Sequence, residues 1–270
     1  MLERPDGAKI HHELRGEGPL VFFATYWSWS PGVYEELFED LAADHRVLTY
    51  HLRGTGDSGR DGPHDMETDL GDIESLLEEA GGPAVAFGLA DSSHRALKIA
   101  ARRPELVGEV AAFGPPLPQA EFGSSEALVG SESVTQAFRE MVSRDYRGAI
   151  RSMTTAVNPQ MDEAAVQQRV ADHVAFSPSE AALGRIQAWL EDDPLPEAIA
   201  LGDRLSVLIS ERGSGNVWFP EPPELERLTA AGLPEARIVH LEDGPVSRPD
   251  LTAAAIRELT ARLQARLRHA

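Results

Sequence analysis

The chain has no cysteine among its 270 residues, which excludes disulfides, thiolate metal centres and a cysteine nucleophile together. Positive charge is scarce too: Lys and Arg total 25 against 44 for Asp and Glu, a formal net charge of −19. That balance repels polyanions over long range, and no basic tract relieves it. Nucleic acid and anionic membranes are therefore not expected partners. No apolar run approaches the ~18 residues of a bilayer span. Met1 to Gly7 carries Glu3, Arg4 and Asp6 without an apolar stretch, so no secretory leader is expected and the expected compartment is the cytoplasm. Internal repeats and low-complexity segments are also missing.

What is present is ample apolar material, 42% of the chain, enough for one sizeable core. Short apolar runs alternate with longer amphipathic segments, the pattern of a mainly parallel sheet between helices, an α/β class. Strands are expected at Lys9 to Leu14, Leu20 to Ala24, Arg46 to His51, Ala84 to Phe87, Val107 to Phe113, Ser206 to Ser210 and Arg237 to Leu241. Helices are expected at Val33 to Ala43, Met66 to Ala80, Ser92 to Arg103 and Leu251 to Leu267. The stretch from Pro115 to about Ala200 breaks the alternation with four helical patterns, near Glu132 to Arg144, Tyr146 to Val157, Asp162 to Phe176 and Ser179 to Leu190. The expected organisation is a core domain of residues 1–114 and 201–270 with an all-helical cap, residues 115–200, inserted into it. A cap over the carboxyl edge of the strands would cover the place where open α/β sheets bind ligands.

Two phrases carry a resemblance. Arg46-Val-Leu-Thr-Tyr-His-Leu-Arg-Gly-Thr-Gly-Asp-Ser58 and Pro83-Ala-Val-Ala-Phe-Gly-Leu-Ala-Asp-Ser-Ser93, with the order of elements over nearly the whole chain, resemble the α/β-hydrolase superfamily. The second phrase is similar to the strand, nucleophile elbow and following helix of that family, where Gly-x-Ser-x-Gly keeps the turn sharp. Gly88, Ala90 and Ser92 take the three marked places. The small side chains satisfy the turn, but a methyl group neither attacks a carbonyl nor holds an acyl intermediate. The family's acid position after its seventh strand falls at Gly213, with Glu211 two residues early; its alternative place falls near Gly114. The family's histidine after the eighth strand falls near Pro245 or Val246, in a loop without histidine. The resemblance thus implies a divergent member without the Ser-His-Asp triad.

The resemblance also places the loop Ala24-Thr25-Tyr26-Trp27-Ser28-Trp29-Ser30 at the ligand site, with the backbone N–H groups of Tyr26 and Asp91 as oxyanion donors. Expected substrate contacts are Thr25, Tyr26, Trp27, Trp29, Ala90 and Val246; expected catalytic residues are Asp91 and His94. Plainer readings stand beside these. Trp27 and Trp29 either line an apolar pocket or pack under the cap. Asp91 suits a helix cap and dipole partner, and His51, in the place of the family's usual aspartate, suits a structural role. His11 and His12 make a poor metal pair, because neighbours on a strand face opposite sides, and no metal or cofactor is expected. Gly54-Thr-Gly-Asp-Ser-Gly59 lacks the lysine of a phosphate loop.

Three functions remain open. The first is a non-hydrolytic enzyme, an epimerase or isomerase acting on a peptide or other specialised metabolite. Oxyanion-type amides would stabilise an enolate, with Asp91, His94, Glu242 or a substrate carboxylate as base. Triad loss and general build are similar to the atypical bottromycin-type peptide epimerases, a likeness of architecture rather than of a motif. The second is an inert ligand-binding protein. The third is a hydrolase or lyase with relocated groups, for instance Asp91 with His94.

Overall fold

The computed structural model describes residues 1–27, 30–60, 62–114, 116, 131–157, 160–212 and 221–269. Its strands are β1 (Leu2–Glu3), β2 (Lys9–Ile10), β3 (His12–Arg15), β4 (Leu20–Phe23), β5 (Arg46–Tyr50), β6 (Ala84–Leu89), β7 (Val107–Phe113), β8 (Leu205–Ser210) and β9 (Arg237–Leu241). Its helices are α1 (Glu35–Ala42), α2 (Met66–Ala80), α3 (Asp91–Arg102), α4 (Ser131–Arg144), α5 (Tyr146–Val157), α6 (Glu163–Phe176), α7 (Ser179–Glu191), α8 (Leu195–Leu201), α9 (Pro222–Gly232) and α10 (Pro249–His269). Among the described residues no helix is long and apolar enough to cross a membrane.

Strands β3 to β9 form one seven-stranded sheet in the order β3-β5-β4-β6-β7-β8-β9. Only β3, on the edge, runs antiparallel to its neighbour. Every residue of β4 and β8 is buried, because parallel strands are covered on both faces and read as unbroken apolar runs. On one face Leu37, Phe38 and Leu41 of α1 meet Ile256, Leu259 and Leu263 of α10. On the other, Leu70, Ile73 and Leu77 of α2 meet Leu97, Ile99 and Ala100 of α3.

The ends of α2 follow local chemistry. Asp65 caps it by accepting from the Thr68 N–H at 2.8 Å, which satisfies a donor the helix leaves free. Gly81, at φ 72°, ends it in the left-handed conformation that glycine adopts without strain.

The single strand expected at Lys9 to Leu14 is divided. Lys9 and Ile10 pair with β1 in a separate two-stranded sheet, while His12 onward joins β5. The Lys9 carbonyl accepts from the Gly59 N–H at 2.7 Å, and the His11 N–H donates to Ser58 Oγ at 2.9 Å. The glycine-rich crossover thus claims the backbone groups that would have continued the ladder. Helices α8 and α9 had no counterpart among the expected elements; each is short and opens beside proline, Pro194 and Pro222.

Helices α4 to α8 run between β7 and β8. Ala198 and Leu201 of α8 pack into the main core. The first four, α4 to α7, have an apolar cluster of their own, in which Val142, Ile150, Val166, Val170 and Ile186 surround Trp27 from the core. His173 of α6 joins it, with its ring 6.0 Å from Trp27 and 6.4 Å from Tyr146. Burial holds the His173 imidazole at about 3, below its ordinary 6.5. The unfolded chain accepts that proton near pH 6.5 and the folded chain refuses it, so stability is lost as pH falls below 6.5 and the loss levels off near 3. The slope is about 1.4 kcal/mol per pH unit. Urea melts at pH 7 and pH 5 should therefore differ by roughly 2 kcal/mol more in the parent than in His173→Leu. An equal pH response in the two proteins would overturn this assignment.

Candidate functional site

The site begins where β6 stops. Ala90 has φ 49° and ψ −123° and is the one non-glycine residue with positive φ among the described residues. Such a conformation costs about 1–3 kcal/mol and persists only when its surroundings enforce it. The enforcement is visible on both sides. A Cβ on Gly88 would lie 2.6 Å from the Ser93 nitrogen, so only glycine fits. Ser92 Oγ accepts from the Leu89 N–H at 2.8 Å and donates to the Leu89 carbonyl at 2.9 Å, closing the turn from below. Ser93 Oγ donates to the Ala90 carbonyl at 2.5 Å. The turn's tip is therefore a methyl group, and both nearby hydroxyls are engaged with backbone.

Beside the turn lies a narrow cavity lined by Phe23, Ala24, Thr25, Tyr26, Pro31, Tyr34, Phe38, Phe87, Leu89 and Ser92. Its free centre, about 10 Å³, holds roughly one water. Thr25 Oγ1 donates to the Tyr50 carbonyl at 2.6 Å, tying the loop after β4 to β5. Burial, and then the nearby Asp91 carboxylate, push the phenols of Tyr26 and Tyr34 well above their ordinary range. Both wall tyrosines therefore stay protonated.

Asp91 is fully buried. Its Oδ2 accepts from Arg95 Nη1 at 2.5 Å, and its Oδ1 from the Trp27 N–H at 3.4 Å. Burial pushes its carboxyl above the usual range, against the pull of Arg95. The capping reading of Asp91 is corrected here: it is the first residue of α3, and its carboxylate reaches forward one turn to Arg95 instead of closing the helix start. Arg95 also donates to Asp69 Oδ2 at 2.9 Å. Asp69 in turn holds Arg185 of α7 at 3.0 Å, and Arg185 donates to the Arg53 carbonyl at 2.7 Å. Burial works against an ionised Asp69, but the Arg185 and Arg95 guanidiniums hold its carboxyl below the usual range. This chain of charges joins the elbow helix to the segment between β7 and β8.

His94, one turn into α3, is also buried. Its Nδ1 lies 2.9 Å from Asp192 Oδ2, and Asp192 Oδ1 lies 2.9 Å from Lys98 Nζ. Burial opposes the charge on Asp192, yet His94 and Lys98 hold its carboxyl below the ordinary value. His94 and Asp91 do not hydrogen-bond to each other, so the pairing expected for a relocated hydrolase is replaced by His94 with Asp192. Asp192 is not among the residues that the sequence singles out. The available signal was the i,i+4 spacing of His94 and Lys98, two basic side chains on one buried helix face that require an anion.

The structure gathers only part of the expected contact set. Thr25 and Tyr26 line the cavity, with Ala90 at the neighbouring tip. Trp27, 1% exposed, packs among α4 to α7 instead, because its indole completes their apolar cluster. Val246 is 45% exposed and is not among the residues that line this cavity. Glu242 is taken up at the surface by Arg212 and Arg248, at 3.4 and 2.9 Å. Trp29 and Gly213 lie outside the described residues.

No protein-family model matches the chain. The putative carbamate hydrolase RutD of Azorhizobium caulinodans is 33% identical over 75 residues, which cover 27% of this chain and 28% of that protein. The uncharacterized hydrolase YraK of Bacillus subtilis is 25% identical over 170 residues, 61% of this chain and 60% of that one. The chain thus aligns with less than two thirds of either relative. Among solved structures, an esterase from Exiguobacterium antarcticum superposes with TM-score 0.79 at 18% identity, covering 94% of this chain and 97% of the esterase. A thermophilic esterase from Thermogutta terrifontis gives 0.75 at 20% identity, with 96% of each chain covered. The enol-lactonase from Burkholderia xenovorans LB400 gives 0.68 at 19%, covering 96% of this chain and 98% of the lactonase. Likeness at these identities carries architecture rather than reaction. With the sheet order, the elbow and these superpositions agreeing, the chain has the α/β-hydrolase fold.

Proposed function

We propose that this protein is a non-hydrolytic enzyme that moves a proton at a carbon beside a carbonyl, epimerising or isomerising a peptide or other specialised metabolite. The observation that carries the reading is Ala90 at the tip of the strand-to-helix turn, in the strained conformation that this fold reserves for a nucleophile. The turn is kept and the hydroxyl is not. What survives is the polarising part: the Asp91 N–H opens a helix and has no acceptor within it, and a carbonyl oxygen above Ala90 would sit against that donor.

His94 is the candidate base. Asp192 fixes its Nδ1 and so leaves the Nε2 lone pair to take a proton, the arrangement that makes an imidazole an effective acid–base group. Asp91 is less suited, because Arg95 and the Trp27 N–H already use both of its oxygens. The helices between β7 and β8 would act as the cap that keeps water out. Asp192 belongs to that segment, so the base is oriented only when the cap is seated.

The test is incubation with a mixture of short capped peptides in heavy water, followed by mass spectrometry. Deuterium gained at an α-carbon without bond cleavage is expected, falling about 100-fold or more in His94→Gln. Asp192→Asn should cause a smaller loss. Cleavage of the peptides or of p-nitrophenyl esters would instead favour relocated hydrolysis. Saturable binding without exchange would favour an inert receptor. Exchange that survives His94→Gln unchanged would pass the base role to the substrate.

A further inference from the structure

A cluster of metal-ligating side chains lies outside the elbow, where the edge of the sheet meets the glycine-rich crossover. His11 and His51 stand opposite one another at the end of the β3–β5 ladder, whose register runs from His12 opposite Tyr50. The His51 N–H donates to the His11 carbonyl at 2.9 Å. Residues directly opposite across an antiparallel pair project to the same face, with Cβ atoms about 5 Å apart. The two imidazole rings accordingly lie 4.4 Å apart, centroid to centroid. Asp57, on the turn that follows, brings its Oδ2 to 3.7 Å from His51 Nδ1. One donor atom from each of the three side chains lies within 4.8 Å of the other two. Glu13 adds a carboxylate 3.7 Å from His11 Nε2.

We propose that His11, His51 and Asp57 form a binding site for a divalent first-row transition ion such as Zn²⁺, Co²⁺ or Ni²⁺. Two imidazoles and a carboxylate suit these borderline ions and not Mg²⁺ or Ca²⁺, which favour all-oxygen shells. Ligand distances near 2.0–2.2 Å put the donor atoms of a tetrahedral shell about 3.4 Å apart, so donors now up to 4.8 Å apart must draw together by about 1 Å or somewhat more. The exposed Asp57 side chain and the part-exposed His11 ring can supply that movement. His51 is the fixed member: Phe176 of α6 packs edge-on against it at 4.9 Å, and any side chain on Gly56, at φ 49°, would strike both rings. Burial, and then His11, lower the His51 pKa, which favours the neutral ring that a metal needs. The Asp57 N–H now donates to His51 Nδ1 at 3.0 Å, so the proton sits on Nε2. An ion at either nitrogen displaces that proton or that hydrogen bond. A bound ion would clip the edge strand to the crossover beneath α6, and this assignment is independent of the chemistry proposed at the elbow.

Untagged full-length protein should be titrated with CoCl₂ and ZnCl₂, with calorimetry, the Co²⁺ visible absorption and the thermal midpoint as readouts. One ion per chain is expected, with a Co²⁺ absorption band and a midpoint raised by Zn²⁺ but not by Mg²⁺. Affinity should fall at least ten-fold in His51→Ala and in His11→Gln, and less in Asp57→Asn. His11→Gln, at a part-exposed position, guards against a folding failure in His51→Ala. Absence of a Co²⁺ band in the parent overturns the proposal, as does equal affinity of the parent and the properly folded His11→Gln protein.

Discussion

Replacing Asp69 by alanine should lower the unfolding free energy by about 3–5 kcal/mol, the cost of leaving buried charges without their partner. Asp69 is 1% exposed and takes hydrogen bonds from two arginines that are themselves 1% and 0% exposed, Arg95 and Arg185. Neither guanidinium can reach bulk water when the carboxylate is gone. Arg95 would keep Asp91, but Arg185 would keep only the Arg53 carbonyl. Urea denaturation followed by circular dichroism gives the number. A loss below about 1 kcal/mol would mean that solvent reaches the network. The pairs themselves are a different matter: replacing Asp69, Arg185, Arg95 and Asp91 together with apolar residues of similar volume should cost far less than the single change, because none of the four buried charges is then left without its counter-ion. The ion chain is thus better understood as fixing how α7 meets the core than as a source of stability.

The second large effect is expected at Trp27. Its indole is 1% exposed and is the core's contribution to the apolar cluster of α4 to α7. Trp27→Ala removes that volume and leaves a void that the surrounding helices fill only in part, at a cost of about 3–5 kcal/mol. Trp27→Phe keeps most of the contact and should cost roughly 1–2 kcal/mol. The backbone N–H toward Asp91 survives both changes, so the comparison isolates packing. Melts of the two variants check it, and an alanine variant within about 1 kcal/mol of the parent would show that the helices do not depend on the indole. Ligand contacts are judged separately, at Thr25 and Tyr26 on the cavity wall.

These two positions mark the limit of what linear reading reaches. The apolar runs of β4, β6 and β8 and the small residues Gly88, Ala90 and Ser92 announced a parallel sheet and a sharp strand-to-helix turn, because the signals are local. Trp27 is different. Position in the loop after β4 places it near the ligand edge, but whether its ring faces a cavity or the helices depends on Val166, Val170 and Ile186, more than a hundred residues away. Val246, whose loop is located by resemblance alone, is 45% exposed and is not among the residues lining the cavity. His11 had been compared only with His12, its neighbour along the chain, whereas its spatial partner is His51 across the ladder.

The sequence by itself determined the class of fold, the sharp bend at Ala90 and the absence of a hydroxyl there, since hydrophobic periodicity and backbone demands are written in adjacent residues. Tertiary structure decided where the charges go. Asp69 meets Arg185 across 116 positions and His94 meets Asp192 across 98, and a charged side chain leaves no periodic trace of a distant partner. Burial made those pairings obligatory, because an ion removed from water is tolerated only beside its counter-ion.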